Sequence, residues 1–142
     1  MIEVRKARSQ NDLAECHAMQ MEIFRDGEHR DTAEDHWWLA TVNDEPPGFG
    51  CLRVMDTTAL VPLGYHALSG VLARFRGQGI QRKLLKAREA YARKAGCLQC
   101  CTYTAWRNWP SANSLIREGY TLYTPATKPW GLEYSLYFRK TL

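Results

Sequence analysis

Two glycines, Gly77 and Gly79, stand between an apolar stretch ending at Leu72 and an amphipathic one beginning at Ile80, among the cations Arg74, Arg76, Arg82, Lys83 and Lys86. No acid follows until Glu89. A strand that enters a Gly-rich turn and then opens a helix makes an anion cradle. Glycine lets the backbone turn sharply and approach a ligand, and the unpaired N–H groups of the first helical turn point at it. Cations in that turn oppose the helix dipole, a conflict that a bound polyanion would resolve. The other groups with chemical potential are Tyr65 and His66, upstream on the apolar stretch, and five cysteines.

The cysteines argue against metal and disulfide chemistry. Their number is odd, which fits a reducing compartment, and Cys97-x-x-Cys100 has no second pair to complete a zinc site. The run from Cys97 to Tyr103 reads as a buried strand in which free Cys is a small apolar residue. The net charge of +4 is modest, and the basic residues gather at the glycine turn rather than in an aromatic-interleaved stripe, which suits a small polyanion better than nucleic acid. No apolar run is long enough to cross a bilayer, so no membrane partner is expected. The start, Met1 to Lys6, enters a strand-like alternation without a signal-peptide core, from which a cytoplasmic protein is expected.

With 142 residues, 45% hydrophobic and 24% charged, the chain is read as one domain spanning 1–142. The pattern predicts a strand at Ile2 to Ala7 and a helix capped near Ser9 to Asn11, with Leu13, Cys16, His17 and Met21 on one side, extending toward Phe24. A charged loop follows, with a short helix around Thr32 to Asp35. Strands are expected at Trp37 to Val42 and Phe49 to Met55, joined by a turn over Asn43 to Gly48, and then at Tyr65 to Leu72. After the turn come a helix from Gly79 to about Lys94, a strand from Leu98 to Thr104, a helix from Pro110 or Ser111 to Glu118, and a closing strand from Leu132 to Arg139.

The segment Val71-x-x-x-Phe75-Arg76-Gly77-x-Gly79-Ile80 resembles the acyl-CoA-binding segment of the GNAT superfamily of N-acetyltransferases. Its pattern, Gln or Arg-x-x-Gly-x-Gly or Ala, is met by Arg74, Gly77 and Gly79. The order of elements is similar to that fold over essentially the whole chain. The resemblance implies an α/β protein with a GNAT fold: a central mixed sheet of six to seven strands flanked by about four helices. It also implies acetyl-CoA as cosubstrate, with no metal. Ser69, Val71 and Leu72 would flank the pantetheine, and Arg76, Gly77, Gln78, Gly79, Ile80 and Gln81 would face the pyrophosphate. Gln81 stands where relatives often carry a small residue, and would either narrow the pocket or add an amide donor. Asn108 matches the family asparagine that touches pantetheine. The family's proton-donating tyrosine aligns with Ile116, so that role does not carry over.

The implied function is transfer of an acetyl group to a primary amine by direct attack in a ternary complex. The alternative is a non-catalytic acyl-CoA-binding module, which Ile116 favours. For a base, the strand before Val71 offers Tyr65 and His66. Regular alternation puts Tyr65, Ala67, Ser69 and Val71 on one side and His66 on the other, and a bulge would reverse this. The acids Glu22, Asp26, Glu28, Asp31, Glu34 and Asp35 either attract an amine cation or form a solvated loop, and His29 and His36 are equally open. Trp37 and Trp38 are adjacent and cannot both face the core in a regular strand, so one is expected either to line a surface groove or to be a partly covered edge aromatic; Trp106, Trp109, Tyr123 and Trp130 add aromatics near the acceptor side. The acceptor is then an aromatic or apolar amine, a peptide end or a lysine. Late strands can pair between subunits in this superfamily, which leaves a homodimer open.

Overall fold

The computed structural model describes residues 1–25, 30, 35–55, 62–126 and 135–142. The elements are β1 (Ile2–Lys6), α1 (Gln10–Ile23), β2 (Asp35–Val42), β3 (Glu45–Met55), β4 (Leu63–Val71), a 3-10 turn (Ala73–Phe75), α2 (Ile80–Lys94), β5 (Gln99–Ala105), α3 (Trp109–Arg117), β6 (Thr121–Tyr123) and β7 (Ser135–Thr141). The short helix expected around Thr32 and the start of the closing strand at Leu132 lie outside the described residues.

The strands form one mixed sheet in the order β1-β2-β3-β4-β5-β7-β6, parallel at β4 and β5 and antiparallel elsewhere. The helix α1 covers one face and α2 the other. No described helix is long and apolar enough to cross a membrane.

Covering both faces corrects two expectations. Trp37 and Trp38 are both buried, Trp37 in the core beneath α1 and Trp38 in the core beneath α2, so neither lines a groove. On α1, whose N-cap Ser9 accepts from the Asp12 N–H at 3.1 Å, Cys16, Met19 and Gln20 are buried while Met21 is 57% exposed. Positions three and four after Cys16 share its face, whereas the fifth has rotated away. The turn between β2 and β3 is tighter than expected. Asn43 and Asp44 take φ of 50° and 65°, a hairpin geometry these side chains tolerate. Pro46 and Pro47 enter the strand where the register shifts between Ala40 and Val42, the irregular ladder that prolines need.

Candidate functional site

Strands β4 and β5 are joined only at Gly64 with Cys100 and Tyr65 with Cys101. Beyond that the ladder stops, leaving a fork. The Thr102 hydroxyl, donating at 3.0 Å to the His66 carbonyl oxygen, spans its base. Past the fork, β4 keeps β3 on one side and has no β5 ladder on the other. Such an unpaired edge can take an extended ligand as an added strand. Ser69 and Val71 lie on this segment, and the Leu72 N–H donates to the Pro47 oxygen at 2.8 Å.

The register shift at Cys51/Leu52 leaves Ala67 as an extra residue on β4. This bulge corrects the simple alternation. Ala67 and Leu68 both pack in the core under α1, and Val71 packs in the core under α2. Tyr65 and Val71 therefore face opposite sides, the period having slipped by one residue.

The cradle follows directly from the end of β4. Arg76 turns back so that its Nε donates to the Val71 oxygen at 3.2 Å, closing the loop. Gly77 and Gly79 have φ of 80° and 81°, and a Cβ at either would meet nothing within 4 Å. Backbone conformation, not crowding, demands glycine there. Gly79 caps α2 without a side-chain cap and without an acid in the first turn. The first helical bond runs from the Lys83 N–H to the Gly79 oxygen, so the N–H groups of Ile80, Gln81 and Arg82 remain for a ligand. The side-chain oxygen of Gln81 is buried with no hydrogen-bond partner among the described residues.

The cation cluster is answered partly from within, since Arg82 Nε lies 2.7 Å from Glu118 Oε1. Arg74 rests over the Phe75 ring. Asn108, at the end of β5, caps α3 by accepting from the Ser111 N–H at 3.4 Å. Ile116 is 52% exposed on α3 and offers no proton.

On the α1 face a row of tyrosines crosses the sheet. Tyr65 stacks on Tyr103 with centroids 6.5 Å apart, Tyr103 meets Tyr137 at 6.1 Å, and Tyr137 meets Tyr123 at 6.4 Å. The row leads from the fork to a cavity of about 260 Å³ lined by Leu122, Tyr123, Thr124, Pro125, Ser135, Leu136 and Tyr137. Burial holds the Tyr65 hydroxyl well above the usual phenol range, and neighbouring Tyr103 adds to the rise. Tyr103 and Tyr137 were not singled out from sequence. Period-two spacing around Cys101 was the available signal, but only the register of four strands brings these rings together.

His66 lies on the other face. Its Nε2 is 2.7 Å from the Tyr120 hydroxyl, which donates to Glu89 Oε2 at 3.2 Å; Lys140 Nζ completes the chain 3.0 Å from Glu89. Burial, then Arg88 and Lys140, hold the His66 imidazole well below its ordinary range. The structure does not bring Tyr65 and His66 together.

All five cysteines are buried, and burial raises the thiols of Cys16, Cys100 and Cys101 to about 12. Among the described residues no cluster of three His, Cys, Asp or Glu could hold a metal. Asp35, read as a loop acid, is buried between Arg30 and Arg53 and is spent on them rather than on an incoming amine. Asp26, Glu28, His29, Asp31, Glu34 and Trp130 lie outside the described residues. His36 is packed against Tyr91, and Trp106 and Trp109 are exposed.

The mixed sheet thus splits at its parallel pair, and the glycine turn with its surrounding cations follows the end of the strand that the split frees. The profile of the Acetyltransferase (GNAT) family matches residues 3–111, and the chain belongs to that family. Among solved structures, Arabidopsis thaliana Naa50 in complex with the bisubstrate analogue CoA-Ac-MVNAL shares 18% identity, with a TM-score of 0.81 and 99% of each chain covered. Arabidopsis thaliana NAA60 in complex with acetyl-CoA shares 15%, with a TM-score of 0.80, 100% of this chain and 99% of that one. A putative acyl-CoA N-acyltransferase from Klebsiella pneumoniae shares 20%, with a TM-score of 0.77, 100% of this chain and 98% of that one. No curated protein sequence matches at a significant level. The resemblance read from Arg74, Gly77 and Gly79 and the mixed-sheet fold are thus established.

Proposed function

We propose that the protein is an acetyl-CoA-dependent N-acetyltransferase that acetylates a primary amine by direct attack within a ternary complex. One observation carries this reading: the β4/β5 ladder ends at Tyr65 and Cys101, and the glycine cradle sits at the end of the strand thus freed. A pyrophosphate at Gly77, Gln78, Gly79, Ile80 and Gln81, beside Arg76, would direct a pantetheine arm along Ser69, Val71 and Leu72 into the fork. Asn108, the N-cap of α3 beyond the end of β5, would meet that arm from the other side. That NAA60 is found in complex with acetyl-CoA and Naa50 with the bisubstrate analogue CoA-Ac-MVNAL supports acetyl-CoA as the donor.

The amine nitrogen would form a bond to the thioester carbonyl carbon as the carbon–sulfur bond breaks, the thiolate leaves and the nitrogen gives up a proton. Holding donor and amine together supplies much of the acceleration for so reactive a donor. Tyr65, buried at the base of the fork, would orient the amine or a bridging water through its hydroxyl. Its raised hydroxyl argues against a phenolate base near neutrality. His66, buried on the far face, is assigned a structural role. Buried cysteines with raised thiols disfavour an acyl-enzyme.

Ile116 favours a second reading, an acyl-CoA-binding module without turnover. Thermal unfolding with and without acetyl-CoA, followed by thiol release over an amine panel, tests both. Acetyl-CoA should raise the midpoint, since it binds only the folded state. Stabilisation with amine-dependent thiol release supports the enzyme, and stabilisation without it supports the module. Absence of any shift at millimolar acetyl-CoA overturns both.

A further inference from the structure

Arg30 is held in an unusually constrained way for a residue in a connection. Gln20, 1% exposed near the end of α1, grips both its backbone groups: the Gln20 Nε2 donates to the Arg30 oxygen at 2.9 Å, and the Arg30 N–H donates to Gln20 Oε1 at 2.7 Å. Asp35, whose side chain is fully buried, accepts from Arg30 Nε at 3.0 Å and from Nη2 at 3.2 Å. The same carboxylate accepts from Arg53 Nε at 2.9 Å, so its charge is divided between two guanidiniums. Two buried polar side chains thus fix one arginine. The place they fix it is over the Tyr65 ring, 5.9 Å from its centroid.

Asp35 uses the Nε–Nη2 edge of the guanidinium. The Nη1 edge has no partner among the described residues, and 24% of the side chain is exposed. That edge is planar, permanently charged and matched to a carboxylate. We infer that Arg30 is a specificity-determining residue that selects acceptors carrying a carboxylate close to the amine, free α-amino acids above all. The inference rests on the N-acetyltransferase reading. With the carboxylate on Arg30 and the amine beside it at the base of the fork, where Tyr65 and Tyr137 are buried and Tyr103 is partly exposed, the remaining substituent meets the Tyr103 ring, which suits an apolar or aromatic side chain. An amine without the carboxylate leaves a half-buried guanidinium edge desolvated and unmatched, which costs affinity.

The test is thiol release with two matched sets: phenylalanine, phenylalaninamide and phenethylamine, and leucine, leucinamide and isoamylamine, alongside a peptide and a polyamine. For the wild type, kcat/KM for each acid should exceed that for its amide by about ten- to a hundredfold, the worth of a charge-assisted pair. In R30Q the ratio should collapse toward one, with R30K intermediate because it keeps the charge and loses the fork. Equal or better use of the amides and simple amines by the wild type overturns the inference, and this result does not depend on R30Q folding. Turnover of the peptide or polyamine with none of the amino acids overturns it while leaving the enzyme reading intact. If nothing is turned over, titration of the CoA-loaded protein with phenylalanine and its amide decides. Acid-selective binding lost in R30Q supports the role of Arg30, and equal or absent binding overturns it. Failure of the enzyme reading shows separately, as acetyl-CoA stabilisation without thiol release from any amine.

Discussion

The Nε2 of His66 lies 2.7 Å from the Tyr120 hydroxyl, which itself donates to Glu89 Oε2. The single phenolic proton is committed to the carboxylate, so Nε2 carries the imidazole hydrogen. Nδ1 is then an unprotonated acceptor, buried without a partner among the described residues. This fixes a neutral histidine between β4 and Tyr120, the residue just before β6. Its protonation would bury a third positive charge beside Arg88 and Lys140, the cations that already depress it.

Stability should therefore depend on pH through His66. The unfolded chain takes up a proton near 6.5 that the folded chain refuses. The contribution is complete above 6.5 and is lost as pH falls below it, by at most about 1.4 kcal/mol per pH unit. Denaturant unfolding between pH 8 and 5 should show this slope in the wild type and a flatter one in His66→Gln, whose amide can still donate to Tyr120. Parallel curves for the two proteins would show that His66 does not titrate on unfolding.

Gly79 separates conformation from charge. A φ of 81° in open space means that Gly79→Ala loses about 1–2 kcal/mol of stability to backbone strain, while the acetyl-CoA midpoint shift persists in reduced form. Gly79→Glu adds an anion at the cradle and should abolish the shift. Equal shifts in both variants would place the phosphate site elsewhere.

Tyr65→Phe and Tyr103→Phe probe the base of the fork. The Tyr65 hydroxyl, held above the usual range, acts as a hydrogen-bond partner, so Tyr65→Phe should lower kcat/KM by about tenfold, the worth of one neutral hydrogen bond, without moving the acidic limb of the pH profile, and Tyr103→Phe, which removes the neighbouring hydroxyl, should do the same. A limb displaced by more than half a pH unit in Tyr65→Phe would identify Tyr65 as the base.

The thiols should be silent. With all five cysteines buried, a thiol reagent should label the native protein far more slowly than the unfolded chain, and incubation with acetyl-CoA alone should leave no acetyl group on the protein by intact mass. A stoichiometric acetyl adduct on any cysteine would replace direct attack with a two-step mechanism.

The features legible in sequence are those encoded within a few consecutive residues. Positive φ at Gly77 and Gly79, the capping serine at residue 9, the 3.6 period of α2 and the order of the elements all follow from local conformational preference, so the cradle and the family could be read directly. Trp37 and Trp38 point to opposite faces of β2, and helices packed on both faces bury each of them. The remainder was decided by register and helix rotation. One extra residue at Ala67 turns Tyr65 and Val71 to opposite faces, and the facing partners on β3 reveal it. The row from Tyr65 to Tyr123 draws one residue from each of four strands. Arg30 reaches Tyr65 only because Gln20 and Asp35, ten residues before it and five after, converge on it. Contacts between segments separated by whole elements depend on how the sheet twists and which helical face wins burial, and these are set by the packing of the entire core at once.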